Sequence, residues 1–160
     1  MPLVRRKKPL TLKAFEKAYF EHFEKYGYPP SVKQLSQKFK VTPDTVSQKF
    51  RKLIEEGKVD TRLGKVRTKE MVRLSADEYA AFVFAQRYYQ DTGKKVDPRL
   101  LVEVFSDKKF ERVFTRLKKK LGTQEFKKWF TTGHGVGKTK KELEEYILYL
   151  DKMRREEIEH

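Results

Sequence analysis

The run that comes nearest to a ready-made chemical device is Gly133-His134-Gly135-Val136-Gly137-Lys138-Thr139. A glycine-rich stretch closing in Gly-Lys-Thr can wrap backbone N–H groups around phosphates while its lysine neutralises them. That device needs a further glycine with four residues between it and Gly137, where Thr132 stands, and it must leave a strand and open a helix. Upstream lie Phe126, Trp129 and Phe130 at helical spacing, so the run is expected to be a loop between helices, free at most to touch a nucleic-acid phosphate. The absence of cysteine excludes disulfides, thiolate nucleophiles and cysteine-ligated metals, and His22, His134 and His160 are too scattered for a metal cluster or a Ser/His/Asp set. Glu144, Glu145 and Asp151 sit among lysines and arginines, as a solvated helix face requires. No catalytic residue, metal or cofactor is expected.

The remaining chemistry is hydrogen bonding to base edges, and one segment has the residue types for it. Thr42-Pro43-Asp44-Thr45 opens a helix: threonine at the N-cap, proline where its missing N–H costs nothing, and a carboxylate at the positive helix end. Val46, Phe50 and Leu53 recur at i, i+4 and i+7 and should turn inward, with Ile54 beside them. Asp44, Gln48, Arg51, Lys52 and Glu55 then point outward, flanked by Thr45 and Ser47. A glutamine can pair with adenine through two hydrogen bonds, and a threonine offers a methyl to thymine or a hydroxyl to either partner.

Two earlier helices must hold that segment. Leu12, Phe15, Ala18, Tyr19, Phe23 and Tyr26 mark one face of a helix capped by Thr11 and ended by Gly27. Gly27-Tyr28-Pro29-Pro30 breaks it, and Ser31 caps a helix of about two turns with Val32, Leu35 and Phe39 inside. A short helix, a tight turn and a second helix displaying small polar and basic groups is the helix-turn-helix arrangement. Beyond Gly57 the period shortens: Val59, Thr61, Val66, Thr68, Val72 and Leu74 alternate around the turn candidate Leu63-Gly64-Lys65. A basic hairpin here would be a wing, with Arg62, Lys65 and Arg67 placed for phosphate.

The run GYPPSVKQLSQKFKVTPDTVSQKFRKLIEEGKV, Gly27 to Val59, resembles the winged-helix DNA-binding domain of the LexA-type repressors. The likeness extends from about Leu10 to Leu74, in the Gly-Tyr-Pro-Pro-Ser start, the Thr-Pro capped recognition helix and the Gly57-Lys58-Val59 exit. It implies base contacts from Thr42, Asp44, Thr45, Ser47 and Gln48. Backbone contacts are expected from Arg51 and Lys52 one turn deeper, from the wing, and from Arg5 and Arg6 of a basic arm over residues 1–9. The self-cleaving peptidase half of those repressors has no counterpart after Leu74, so autoproteolysis is not implied.

The expected architecture is mainly α: a winged helix-turn-helix over residues 10–74, a helical domain over 75–137 and a C-terminal helix over 138–160. Ser75 and Glu78 form a capping box for a long helix carrying Tyr79, Phe82, Val83, Ala85, Gln86 and Tyr89. Asp97-Pro98 opens another with Leu101, Val102 and Phe105, and Ser106 or Asp107 caps a third with Phe110, Val113, Phe114, Leu117 and Leu121. Spacings from Gly27 and Gly93 agree well enough that this half is either a second, divergent helix-turn-helix, with Lys108, Lys109, Arg112, Arg116, Lys118, Lys119 and Lys120 on its third helix, or an ordinary three-helix bundle.

The balance of 38 Lys+Arg against 23 Asp+Glu, a net +15, asks for a polyanionic partner. Double-stranded DNA is the expected one, a homodimer on two half-sites fits the repressor likeness, and the aromatic second half could dock RNA polymerase or a replication protein. A sequence-specific transcriptional regulator is the leading reading; a replication or partition initiator with tandem modules and a DNA-bound adaptor are the alternatives. No membrane association is expected, and a cytoplasmic location follows from the lack of an apolar leader or a spanning run.

Overall fold

The computed structural model of the chain describes residues 10–64 and 71–131, together with positions 144, 145 and 148, which are helical. The arm with Arg5 and Arg6, the segment with Lys65 and Arg67, the 133–139 run and most of the proposed C-terminal helix lie outside the described residues.

Local signals start and stop the first three helices. Thr11 accepts from the Ala14 N–H and opens α1, Leu12–Tyr26, which ends at Gly27 in the left-handed region at φ 80°. Ser31 and Gln34 form a reciprocal capping box on α2, Val32–Phe39, and Thr42 and Pro43 start α3, Pro43–Glu55. Phe15, Tyr19, Leu35, Val46, Phe50, Leu53 and Val59 close into one core that also takes in Ala76.

Strands β1, Arg62–Gly64, and β2, Met71–Arg73, pair antiparallel, Arg62 opposite Arg73 and Gly64 opposite Met71. The Leu74 N–H extends the ladder to the Thr61 carbonyl at 3.0 Å. Gly64 is therefore a strand residue rather than part of the turn expected at Leu63-Gly64-Lys65, because the ladder takes it in opposite Met71.

The remaining helices are α4, Ala76–Thr92; α5, Pro98–Phe105; α6, Phe110–Leu121; and α7, Thr123–Trp129. The expected Ser75/Glu78 capping box is present, as is Asp97 ahead of Pro98. Neither Ser106 nor Asp107 caps α6: Ser106 takes the left-handed conformation that ends α5, and Asp107 stands two residues ahead of the N-cap position and accepts from the Lys109 N–H there. The inward stripe of α4 is met at Phe82 and Ala85, which are buried, and differs elsewhere, since Ala81, Phe84 and Tyr88 are buried while Tyr89 is 42% exposed. This helix is covered on more than one side, so a single amphipathic stripe does not describe it. Phe84, Phe105, Phe110, Leu117, Phe126 and Phe130 form the second core, with Phe105 and Phe110 stacked at 4.3 Å, and Val96 bridges Phe130 in parallel.

The halves are joined through side chains that sequence order keeps far apart. Tyr28, from the α1–α2 connection, is buried in the second core, edge-on to Phe84 at 5.0 Å and to Phe105 at 5.6 Å. The Asp77 carboxylate accepts from the Val32 N–H at 2.8 Å, across the junction and at the start of α2. Lys33 Nζ donates to the Ser106 carbonyl at 2.8 Å.

A conformational repeat accompanies this packing. One chain interval separates Gly27 from Gly93, both left-handed helix ends; Ser31 from Asp97, both N-caps; Leu35 from Leu101, both buried; and Lys40 from Ser106, both left-handed. Lys40 has φ 54° and ψ 46°, Ser106 φ 51° and ψ 45°, and each is followed by an N–H bonded back to the carbonyl five residues earlier, Val41 to Ser36 and Asp107 to Val102.

Candidate nucleic-acid interface

Helix α3 is oriented by what it buries. Val46, Phe50 and Leu53 are all within 3% of complete burial, which leaves Thr42, Asp44, Gln48, Arg51 and Lys52 exposed and Thr45 and Ser47 half-exposed beside them. All five expected base-facing residues and both expected backbone-facing residues of this helix thus come together on one accessible side. Their hydrogen-bonding capacities differ. The Thr42 hydroxyl accepts from the Thr45 N–H and lies 3.0 Å from the Thr45 hydroxyl, so the two hydroxyls are engaged with each other and the Thr45 methyl is its simpler offering to a base. Asp44 stabilises the first turn through the helix dipole and, being acceptor-only, suits a cytosine amino group and repels phosphate. Gln48 carries both a donor and an acceptor. Arg51 and Lys52 form no ion pair with a described residue.

The cations around the hairpin are less free. Arg62 donates from Nε to Asp60 Oδ1 at 3.0 Å and from its terminal nitrogen to Oδ2 at 3.2 Å, and its own backbone N–H also points at Asp60. These hydrogen bonds hold the Asp60 carboxyl down at about 2, so the pair stays ionised at neutral pH and a phosphate would have to displace the carboxylate. Lys58 is likewise held by Glu16 at 2.8 Å and Glu56 at 3.4 Å. Lys120, counted with the basic face of α6, turns inward instead: its ammonium reaches the Arg73 carbonyl at the foot of the hairpin and the buried Glu78 carboxylate. Glu78 is required there because it also caps α4, and a buried carboxylate needs a cation.

His22 is half-buried and engaged with the chain itself. Its Nδ1–H donates to the Tyr28 carbonyl at 3.2 Å, its ring stacks near Tyr26 at 4.5 Å, and burial pushes its pKa down to about 4. Among the described residues no group of three or more His, Asp or Glu side chains could hold a metal ion, and no helix is long and apolar enough to cross a membrane.

Sequence reasoning missed the residues that set the helix pair against the rest of the molecule. Asp77, Lys33 and Tyr28 reach partners 45 to 77 positions away, and no local pattern marks such pairs. Burial raises the Asp77 carboxyl, while the Val32 N–H and Lys109 draw it the other way.

Residues 17–68, which hold α2, α3 and the first strand, match the family model of the LexA DNA binding domain. No curated protein and no solved structure matches the chain. The matched region is about one third of the sequence and covers the whole exposed face of α3. Within it, α2 and α3 form the helix-turn-helix, and the region is a sequence-specific DNA-binding unit of the kind that regulates transcription.

Proposed function

We propose that this chain, built around a LexA-type DNA-binding domain at residues 17–68, is a cytoplasmic transcriptional regulator that lays α3 in the major groove of its operator. The observation that carries the reading is the orientation of α3: the Thr42-Pro43 start and the buried Val46, Phe50 and Leu53 leave Gln48 central on the accessible face. Gln48 and Thr45 are the principal base readers, with Thr42, Asp44 and Ser47 completing the face. Arg51 and Lys52 take phosphate, joined by Arg5 and Arg6 of the arm. The β1–β2 hairpin is the wing, with Arg62, Lys65 and Arg67 against the backbone; Arg62 joins them by exchanging Asp60 for phosphate. Two protomers reading two half-sites form the homodimer that goes with an operator of two-fold symmetry.

Selection from random duplexes, for the native chain and for Gln48→Ala, tests this assignment. The variant should fold normally, lose about 1–3 kcal/mol on the selected duplex and relax one base pair per half-site. An unchanged motif bound with unchanged affinity would remove α3's outer face from the reading surface.

A second reading is favoured by the matched turns at Lys40 and Ser106: α4 to α6 form a second, divergent helix-turn-helix, and the protein is a replication or partition initiator on repeated sites. Origin fragments bound in preference to promoter fragments would select it. Docking of RNA polymerase or a replication protein on residues 75–160 is the partner assignment of an adaptor, and co-purification with the full chain but not with a chain altered at Tyr89 and Trp129 would select that.

A further inference from the structure

We infer that the exposed face of α6 is a second DNA-binding site, one that grips the phosphate backbone of the duplex without reading its sequence, alongside the segment that α3 reads. This rests on the α3 reading and adds to it a division of labour between the two helix pairs.

The face is built by periodicity. At about 100° per residue, Lys109, Arg112, Arg116 and Lys119 fall within an arc of about 80°, a stripe about 15 Å long, and Lys108 lies just before it on the same side. Phe110, Val113 and Leu117 are buried on a neighbouring, separate side of the helix, and the cationic stripe stays exposed. All five cations are exposed, none forms an ion pair with a described residue, and the one carboxylate on the helix, Glu111, lies outside the arc. Close packing of like charges without counter-charges costs self-repulsion, which a row of phosphates relieves.

The two helices differ in chemistry. The outer side of α3 mixes Asp44, Thr45, Ser47 and Gln48 with its cations, short groups that accept and donate at base edges. The α6 arc holds only long cations, which follow phosphates by charge and carry little sequence information. Glu111 takes the place in the first turn of α6 that Asp44 takes in α3, but it lies outside the arc, and Lys108 and Lys109 stand just before it.

The second pair is held against the first: Lys33 of the first pair donates to the Ser106 carbonyl of the second, and Tyr28 enters the second core. Each protomer therefore carries its backbone grip at a set place beside its reading helix, and the phosphates it holds lengthen the footprint beyond those that α3 covers.

The test uses the full chain with Lys109, Arg112, Arg116 and Lys119 all changed to glutamine, on two duplexes: the selected site alone, and the same site with natural-length flanks. Each phosphate contact contributes about 0.9 to the salt slope, so four contacts make binding to the flanked duplex fall about 150-fold more steeply between 50 and 200 mM salt in the native chain than in the variant. The variant should keep the selected motif, bind the short duplex like the native chain and protect a shorter footprint. The exchange variant Lys109→Arg, Arg112→Lys, Arg116→Lys, Lys119→Arg keeps every charge and should retain the native slope, which separates charge from any damage to folding. Native slope and affinity in the glutamine variant on the flanked duplex would overturn the inference. An altered motif would overturn it too, by making α6 a base reader. Failure of the α3 reading is distinguishable, since Gln48→Ala would then leave both duplexes unaffected while the α6 variant still lost its salt dependence.

Discussion

Replacing Tyr28 by alanine removes a ring that is 7% exposed and belongs to the half of the molecule its sequence position does not suggest. The side chain stands edge-on to Phe84 and Phe105 at 5.0 and 5.6 Å, with interplanar angles of 86° and 80°. Large aromatic-to-alanine changes in a core cost about 3–5 kcal/mol through lost burial and an unfilled cavity. Each edge-to-face pair contributes about 0.5–1.5 kcal/mol beyond its buried area, which places this site toward the upper part of that range. A loss of about 4 kcal/mol is a large share of the roughly 5–15 kcal/mol that holds a domain folded. Urea unfolding followed by two signals measures it. Trp129 is the sole tryptophan and stands edge-on to Phe82 and Tyr89, so its fluorescence reports the second core, while far-ultraviolet dichroism reports all helices. The native transitions should coincide and those of Tyr28→Ala should separate, because the lost ring couples the cores. Tyr28→Phe keeps both ring contacts and should stay within about 1.5 kcal/mol of native. A loss below about 1 kcal/mol in Tyr28→Ala, with coincident transitions, would refute the shared core.

Asp60→Asn releases Arg62 from its carboxylate and should strengthen binding to matched and random duplexes alike; unchanged affinity for both would show that Arg62 does not meet DNA. Burial lowers His22 to about 4, so the unfolded chain binds the extra proton between about pH 6.5 and 4. The stability this group contributes is complete above pH 6.5 and is lost as pH falls toward 4; His22→Gln should melt with a shallower dependence over that window, and an equal slope in both proteins would dismiss the assignment. The Tyr19 hydroxyl is buried without a hydrogen-bond partner among the described residues, and its ring packs on Phe15 and Phe50. Leaving such a group unpaired costs about 1–3 kcal/mol, so Tyr19→Phe should raise the melting temperature, and a lowered one would reveal a partner for the hydroxyl.

Local chemistry was legible residue by residue. Thr11, Ser31, Thr42, Ser75 and Asp97 cap their helices because a side-chain oxygen meets N–H groups two or three residues ahead, a contact that sequence spacing alone specifies. The exposed face of α3 was legible for a related reason: Val46, Phe50 and Leu53 recur once per turn, and burying them turns Gln48 outward whatever the helix packs against. Tertiary structure decided what depends on a partner far along the chain. Ser106 ends one helix instead of starting the next, Gly64 continues a strand instead of turning it, and Lys120 faces Glu78 instead of solvent, each because a longer-range contact outweighs a local preference of about 1 kcal/mol or less. Tyr28 is the clearest instance. Between a glycine and two prolines it reads as a turn residue, and only the approach of Phe84 and Phe105 from the other half makes it part of a core.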